Sequence, residues 1–337
     1  MGRHANVALF VPHEGCPNRC SFCDQKAISG RERPPRAADV KAACERAAAT
    51  MHAEAGEAEI AFFGGSFTAI DRPYMVELLE AAAPFVRDGR FAGIRVSTRP
   101  DRVNGEVLAL LKGYGATAVE LGAQSMDDTV LARNGRGHTA ADVRTAAARI
   151  RAAGLSLGLQ MMTGLPGADQ ASDRETAGQL AALQPDTMRV YPTIVMRGTR
   201  LARWYEEGRY TPQTLEEAVE LGAELLRFFE WERGIPVIRL GLHAGPELEA
   251  GRVAGPWHPA FRELCEGCLY LELARQALAE VPAGAVTLLV HPGAVSKLVG
   301  QKRCNIMALQ HEGYTVTVRG DETVPPRQVT LGGKACF

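Results

Sequence analysis

"NVALFVPHEGCPNRCSFCDQ", residues 6–25, runs a short apolar stretch straight into three cysteines, Cys16, Cys20 and Cys23. The stretch is rich in Val, Leu and Phe, as expected of a strand covered on both faces. Five runs of the same kind follow: "EIAFF" (59–63), "GIRVST" (93–98), "TAVELG" (117–122), "LSLGLQMM" (155–162) and "DTMRVYP" (186–192). Helical patterns at 37–52, 72–86, 104–112, 139–153, 173–183 and 214–230 separate and follow them. This alternation predicts an α/β fold of parallel strands joined by crossovers, either a doubly wound sheet or an incomplete (β/α) barrel. In both, ligands gather beyond the carboxyl ends of the strands. The chemically equipped turns fall there: the cysteine loop, "GGSF" (64–67), "STRPD" (97–101), "GAQS" (122–125), "TGLPG" (163–167) and "YPT" (191–193).

The 337 residues are 46% hydrophobic and 23% charged, with a formal net charge of −1. Such a chain can bury a sizeable core, and no global field steers it toward nucleic acid or a membrane surface. No apolar run approaches the ~18 residues of a membrane span, and the first residues lack the pattern of a signal peptide. A cytoplasmic location is the expectation. In a reducing compartment, the eight cysteines point to metal binding or reactivity rather than a disulfide framework.

Three thiolates on one loop leave a fourth coordination position open. Structural zinc would close it with another Cys or His, and His13 lies just upstream. An iron–sulfur cube also takes cysteine ligands, and with three of them one iron stays open. Spacing alone permits both. "CPNRCSFC" on the first strand-to-helix loop, with Phe22 ahead of the last cysteine, resembles the radical S-adenosylmethionine (SAM) superfamily. "VSTRPD", "VELGAQSMDDTVLARNGRGHT", "MTGLPG" and "VYPTIVMRGTRLARWYEEGRYTP" resemble two of its subfamilies, the radical-SAM domain of the Elongator catalytic subunit and oxygen-independent coproporphyrinogen oxidase. The resemblance covers roughly residues 7–242.

It implies a partial (β/α)6, TIM-like barrel. It also implies a [4Fe–4S] cluster on Cys16, Cys20 and Cys23 whose open iron chelates S-adenosyl-L-methionine, and a reductant such as flavodoxin or ferredoxin. Gly64, Gly65 and Ser66 match the turn that approaches the methionine amino group. Gln124, Arg136 and Gln160 match contacts to the SAM carboxylate and ribose, and Phe22 and Leu165 would flank the adenine. Ser97, also in the cofactor set, stands where both relatives usually carry Glu.

Residues 1–242 form the expected barrel, 243–258 a Gly- and Pro-rich linker, and 259–337 a small C-terminal α/β appendage. Cys265 and Cys268 repeat a two-residue gap inside a helical pattern and read as helix packing; only Cys304 and Cys336 could join them at a metal. Cys44 reads as core. Residues 286–318 run β-α-α-β and resemble the KH module, with Gly300 and Ile306 in place and Arg303 where a second loop glycine belongs. Lys297, Lys302 and Arg303 are the candidate RNA contacts there. No acetyltransferase domain is expected after residue 242. The functional expectation is a radical SAM enzyme acting on RNA, such as a tRNA. The alternatives are a small metabolite or peptide as substrate, or a non-catalytic iron–sulfur RNA-binding protein.

Overall fold

A computed structural model describes residues 6–11, 16, 20–23, 33–50, 57–243 and 245–332. His13 and Cys336, the alternative metal ligands, lie outside them.

Seven parallel strands form one curled half-barrel. They are β1 (Asn6–Val11), β2 (Glu59–Gly64), β3 (Gly93–Thr98), β4 (Ala116–Gln124), β5 (Ser156–Thr163), β6 (Thr187–Pro192) and β8 (Val237–Leu240), side by side in that order. The last extends the six expected from sequence. β7 (Val195–Met196) lies outside this sheet. Crossover helices include α1 (Ala37–Thr50), α2 (Arg72–Arg87), α3 (Gly105–Gly113), α4 (Asp128–Arg133), α5 (Ala140–Ala152), α6 (Gln170–Ala182), α7 (Arg200–Glu206) and α8 (Leu215–Leu226). Capping boxes start three of them: Thr139 with Asp142, Asp169 with Ser172, and Thr214 with Glu217. The 214–230 pattern does not end as α-helix, because Arg227–Glu232 continue it as π-helix.

Each strand alternates between two faces. Ile60, Phe62, Ile94, Val96, Val119, Leu121, Leu157, Leu159, Met188 and Val190 are buried in the core shared with the helices. Burying each such side chain contributes about 1.5–3 kcal/mol. The other face points into the curl and is polar: Glu59, Arg95, Glu120 and Arg189 bond to one another there.

Residues 243–258, Gly- and Pro-rich in sequence, carry α9 (Pro246–Gly251), with proline in its first turn, and β9 (Arg252–Ala254), which pairs antiparallel with β7. Beyond them α10 (Phe261–Leu278) serves two cores. Phe261, Cys265 and Leu269 join the barrel core, while Tyr270, Ala274 and Leu278 join a second one with Leu288, Val290, Leu298 and Leu309. The appendage continues as β10 (Gly284–Val290), α11 (Val295–Val299), α12 (Cys304–His311), β11 (Tyr314–Gly320) and β12 (Val329–Leu331). β10 is central, parallel to β11 and antiparallel to β12. Among the described residues no helix is long and apolar enough to cross a membrane.

Candidate active site

The end of the cysteine loop is held by a buried clamp. Ser21 N donates to Asn134 O at 3.0 Å, and Ser21 Oγ donates to Asn134 Oδ1 at 2.6 Å. Asn134 Nδ2 in turn donates to Val130 O (2.8 Å) and Pro166 O (3.0 Å), so one amide ties the loops after β1, β4 and β5 together. From the far side Leu201 N donates to Ser21 O at 2.8 Å. Cys20 and Cys23 bracket this anchor, with Cys23 N donating to Cys20 O at 3.3 Å. The sequence reading assigned no role to Ser21 or Asn134, although both lie inside quoted motifs, because their pairing depends on loops 113 residues apart meeting in space.

Two guanidinium groups stand beside the thiols. Arg136, 7% exposed, donates from Nη1 to Cys20 Sγ at 3.2 Å and from Nη2 to Gly122 O at 2.6 Å. Arg99, 3% exposed, is fixed by Nε to Asp101 Oδ1 at 2.9 Å. Among the described residues, its Nη1 and Nη2, and Arg136 Nε, are buried with no hydrogen-bond partner. Burial and the neighbouring Cys20 push the Cys16 thiol up, and Arg99 and Arg136 oppose them. Next to them His138 bonds through Nε2 to Ala123 O at 3.1 Å, and burial reinforced by Arg136 lowers its pKa to about 4. A buried cation without a full set of acceptors is costly. Here the unmet groups are donors short of acceptors, and what would satisfy them is an anion.

The cofactor candidates occupy the same strand ends. Gly64 takes a φ of 104° at the end of β2, where a Cβ would stand 3.1 Å from Val11 O; only glycine enters this turn without strain. Gly65 N donates to Val11 O at 2.7 Å. Ser66 is fully buried, and its hydroxyl accepts from Arg99 N at 3.2 Å and meets Thr98 Oγ1 at 2.9 Å, so it supports the third strand end. Ser97 Oγ donates to Glu120 Oε2 at 3.1 Å. Gln124, in left-handed backbone at φ 68°, accepts from Gln160 Nε2 at 3.1 Å. Phe22 and Leu165 share one apolar cluster with Val130, Met162 and Tyr191.

The turn after β5 rests on a buried acid. Asp173 Oδ2 accepts from Gly164 N at 2.9 Å, and Tyr210 OH donates to Gly164 O at 2.7 Å. Burial raises Asp173 to about 7.

Deeper in the curl, Arg95 donates to Glu59 (2.6 Å) and Glu120 (3.3 Å), and Arg189 Nε reaches Glu120 at 3.0 Å. Arg189 is on β6 and Glu120 on β4. The contact passes over β5 at Gly158, where a Cβ would lie 2.7 Å from Glu120 Cγ. One charged residue per otherwise apolar strand was the legible signal for this array: Glu59, Arg95, Glu120 and Arg189 each break such a run.

In the appendage, Lys302 and Arg303 are exposed and left-handed, at φ 51° and 64°. Lys297 differs from them: its Nζ pairs with Glu266 at 3.0 Å. Cys44 and Cys265 are buried in the core, Cys268 packs against it, and Cys304 is exposed. Among the described residues no group of three His, Cys, Asp or Glu side chains is arranged to hold a metal, and residues 17–19 of the cysteine loop are outside that set.

The profile of the Radical SAM superfamily matches residues 10–180, and that of the Radical_SAM C-terminal domain matches 185–270. The chain is 29% identical over 239 residues to a tRNA uridine(34) acetyltransferase of Dehalococcoides mccartyi, covering 61% of this chain and 52% of that one. It is 32% identical over 155 residues to human Elongator complex protein 3, covering 43% and 28%. The chain thus spans about half the length, or less, of these curated relatives. Among solved structures, an archaeal Elp3 from Methanocaldococcus infernus lacking its N-terminus superimposes with a TM-score of 0.63 at 21% identity, over 82% of this chain and 64% of that one. That likeness concerns the fold. With a superfamily match over half its length, the chain belongs to the radical SAM superfamily and is an enzyme of it.

Proposed function

We propose that Cys16, Cys20 and Cys23 hold a [4Fe–4S] cluster, that SAM binds against it, and that the enzyme modifies a nucleotide of RNA. The observation that carries the first part is the pair of buried guanidiniums beside the cysteine thiols, with Arg99 Nη1 and Nη2 and Arg136 Nε unpartnered. The donor set fits a cofactor of this charge. Three thiolates suit iron–sulfur ligation, and the unused N–H groups suit a carboxylate or an anionic cluster. When bound, the pair supplies a 5′-deoxyadenosyl radical able to abstract hydrogen from a substrate.

The protein's part is positional. Asn134 and Ser21 fix the loop, Arg136 offers charge to the SAM carboxylate, and Gln124 and Gln160 form a polar shelf for the ribose. Gly64 and Gly65 admit the methionine amino group, and Phe22 and Leu165 bound the adenine. A flavodoxin or ferredoxin would supply the electron.

RNA as substrate is supported by the relatives' names, which specify a tRNA uridine, and by the exposed Lys302 and Arg303 on the appendage. Anaerobic reconstitution with iron and sulfide, followed by SAM and dithionite, tests the first part: 5′-deoxyadenosine should accumulate. Its absence from protein with a confirmed cluster overturns the enzyme reading. Sequencing RNA that co-purifies with the protein, and comparing modified nucleosides with a deletion strain, tests the second. A small-molecule or peptide substrate would leave both unchanged.

A further inference from the structure

The proposed cofactor contacts occupy only one end of a row of side chains that crosses the half-barrel. Strand register aligns Gly122, Gln160, Arg189 and Arg239 on β4, β5, β6 and β8. The row starts at the carbonyl that accepts Arg136 and ends on β8, the free edge of the sheet.

Arg189 and Arg239 are direct register partners, and like charges so placed repel. Arg189 is accounted for. Its Nε pairs with Glu120, its guanidinium lies 4.8 Å from the Phe63 ring centroid, and Nη1 is 3.4 Å from Tyr191 OH. Arg239 is not. Its Nε donates to Gly241 O at 2.8 Å, and among the described residues it forms no ion pair. The carboxylate it senses belongs to exposed Glu263. Burial and the neighbouring Arg189 pull its pKa down, against the pull of Tyr191 and Glu263. His243 follows closely; it is exposed, and its pKa is lowered by loss of hydration near the strand end and then by Arg239 and Arg189.

Two half-buried guanidiniums in register, of which only Arg189 has an ion pair among the described residues, flanked by a phenol and an imidazole, make a site for an oxyanion. We propose that Arg189, Arg239, Tyr191 and His243 form a substrate subsite at the β6–β8 edge that binds an oxyanion of the substrate, a phosphate where that substrate is RNA. The choice of phosphate rests on the RNA reading above; the oxyanion subsite itself does not. It would hold the substrate at the end of the row opposite the cysteines, beyond the ribose shelf at Gln160.

The test is chemical protection of Arg239 in the full chain. Phenylglyoxal modification is located by peptide mass spectrometry, with inorganic phosphate, uridine 5′-monophosphate, succinate, or sodium chloride at matched ionic strength as probes. At a probe concentration of twice its Kd, modification should slow about threefold relative to chloride. Protection by phosphate and the nucleotide supports an RNA phosphate; protection by succinate alone keeps the subsite and assigns it to a carboxylate substrate. Equal modification under all probes overturns it. Arg239→Gln should lose the thermal shift given by the protecting probe, and Arg239→Lys should keep part of it. A full shift in folded Arg239→Gln also overturns the proposal. Wild-type protein that yields no 5′-deoxyadenosine yet shows protection would sink the radical reading and leave the subsite standing.

Discussion

Arginine and lysine mean different things in the two halves of this molecule. Inside the half-barrel, Arg95, Arg99, Arg136, Arg189 and Arg239 are buried or half-buried, and the carboxylates facing them are Glu59, Asp101 and Glu120. Removing a guanidinium from water costs several kcal/mol unless it is paired. A surplus of such groups therefore implies ligands that complete the pairing. On the appendage, Lys302 and Arg303 stand in solvent, where a charge costs little and by itself implies little. The barrel's arginines argue for a function through their burial, whereas the appendage's basic loop acquires one only if RNA is shown to touch it.

The largest expected effect separates the cysteines along the same line. Cys20→Ala should abolish iron and sulfide loading after reconstitution, while Cys268→Ala should load as wild type does. Equal loading in both would remove the assignment of the loop. Next is the clamp. Asn134→Ala leaves Ser21 Oγ and Pro166 O in the interior without their partner, while Val130 O keeps the backbone N–H of residue 134, and should destabilise the fold by about 2–4 kcal/mol in denaturant midpoint experiments. A loss below ~1 kcal/mol would mean the loop is not anchored there.

Asp173 gives a pH signature. Its folded pKa, about 7, lies above its unfolded value. Its contribution to stability is therefore full below pH 4 and is lost as pH rises toward 7, on the order of a few kcal/mol. Asp173→Asn keeps an acceptor for Gly164 N and should flatten that slope. An unchanged slope would place the titration elsewhere. For the appendage, the double variant Lys302→Glu, Arg303→Glu should weaken RNA retention and reduce its salt slope by about 1.4, the value for two single-strand phosphates. The smallest effect is backbone strain: Arg303→Gly at φ 64° should raise stability by about 0.5–1 kcal/mol. No gain would show that the loop relaxes in solution.

Much of the architecture was legible because buried parallel strands write themselves as short apolar runs. All six expected strands are present within two residues of their predicted ends, and β8 also lies within an apolar run, "VIRLGL". The cysteine spacing and the turns after each strand were readable for the same reason, since ligands collect at strand ends. The helical pattern at 214–230 is present, but that its last turn is π-helical was not legible, because a π-helical register has no apolar periodicity of its own. α10 was assigned wholly to the appendage, yet half of its buried face completes the barrel core.

What the sequence determined by itself is the order of elements, the cysteine loop's place after the first strand, and the superfamily motifs, all set by local pattern. Only the tertiary structure decided which polar groups lack partners. Arg99 reads as one residue of "STRPD", and Arg239 as one of "VIRLGL". Neither run says that the first ends 3% exposed beside the thiols, or that the second lies opposite Arg189 with no ion pair among the described residues. Those facts depend on the register and curl of seven strands, which bring together charges distant in sequence and remove the water that would have screened them.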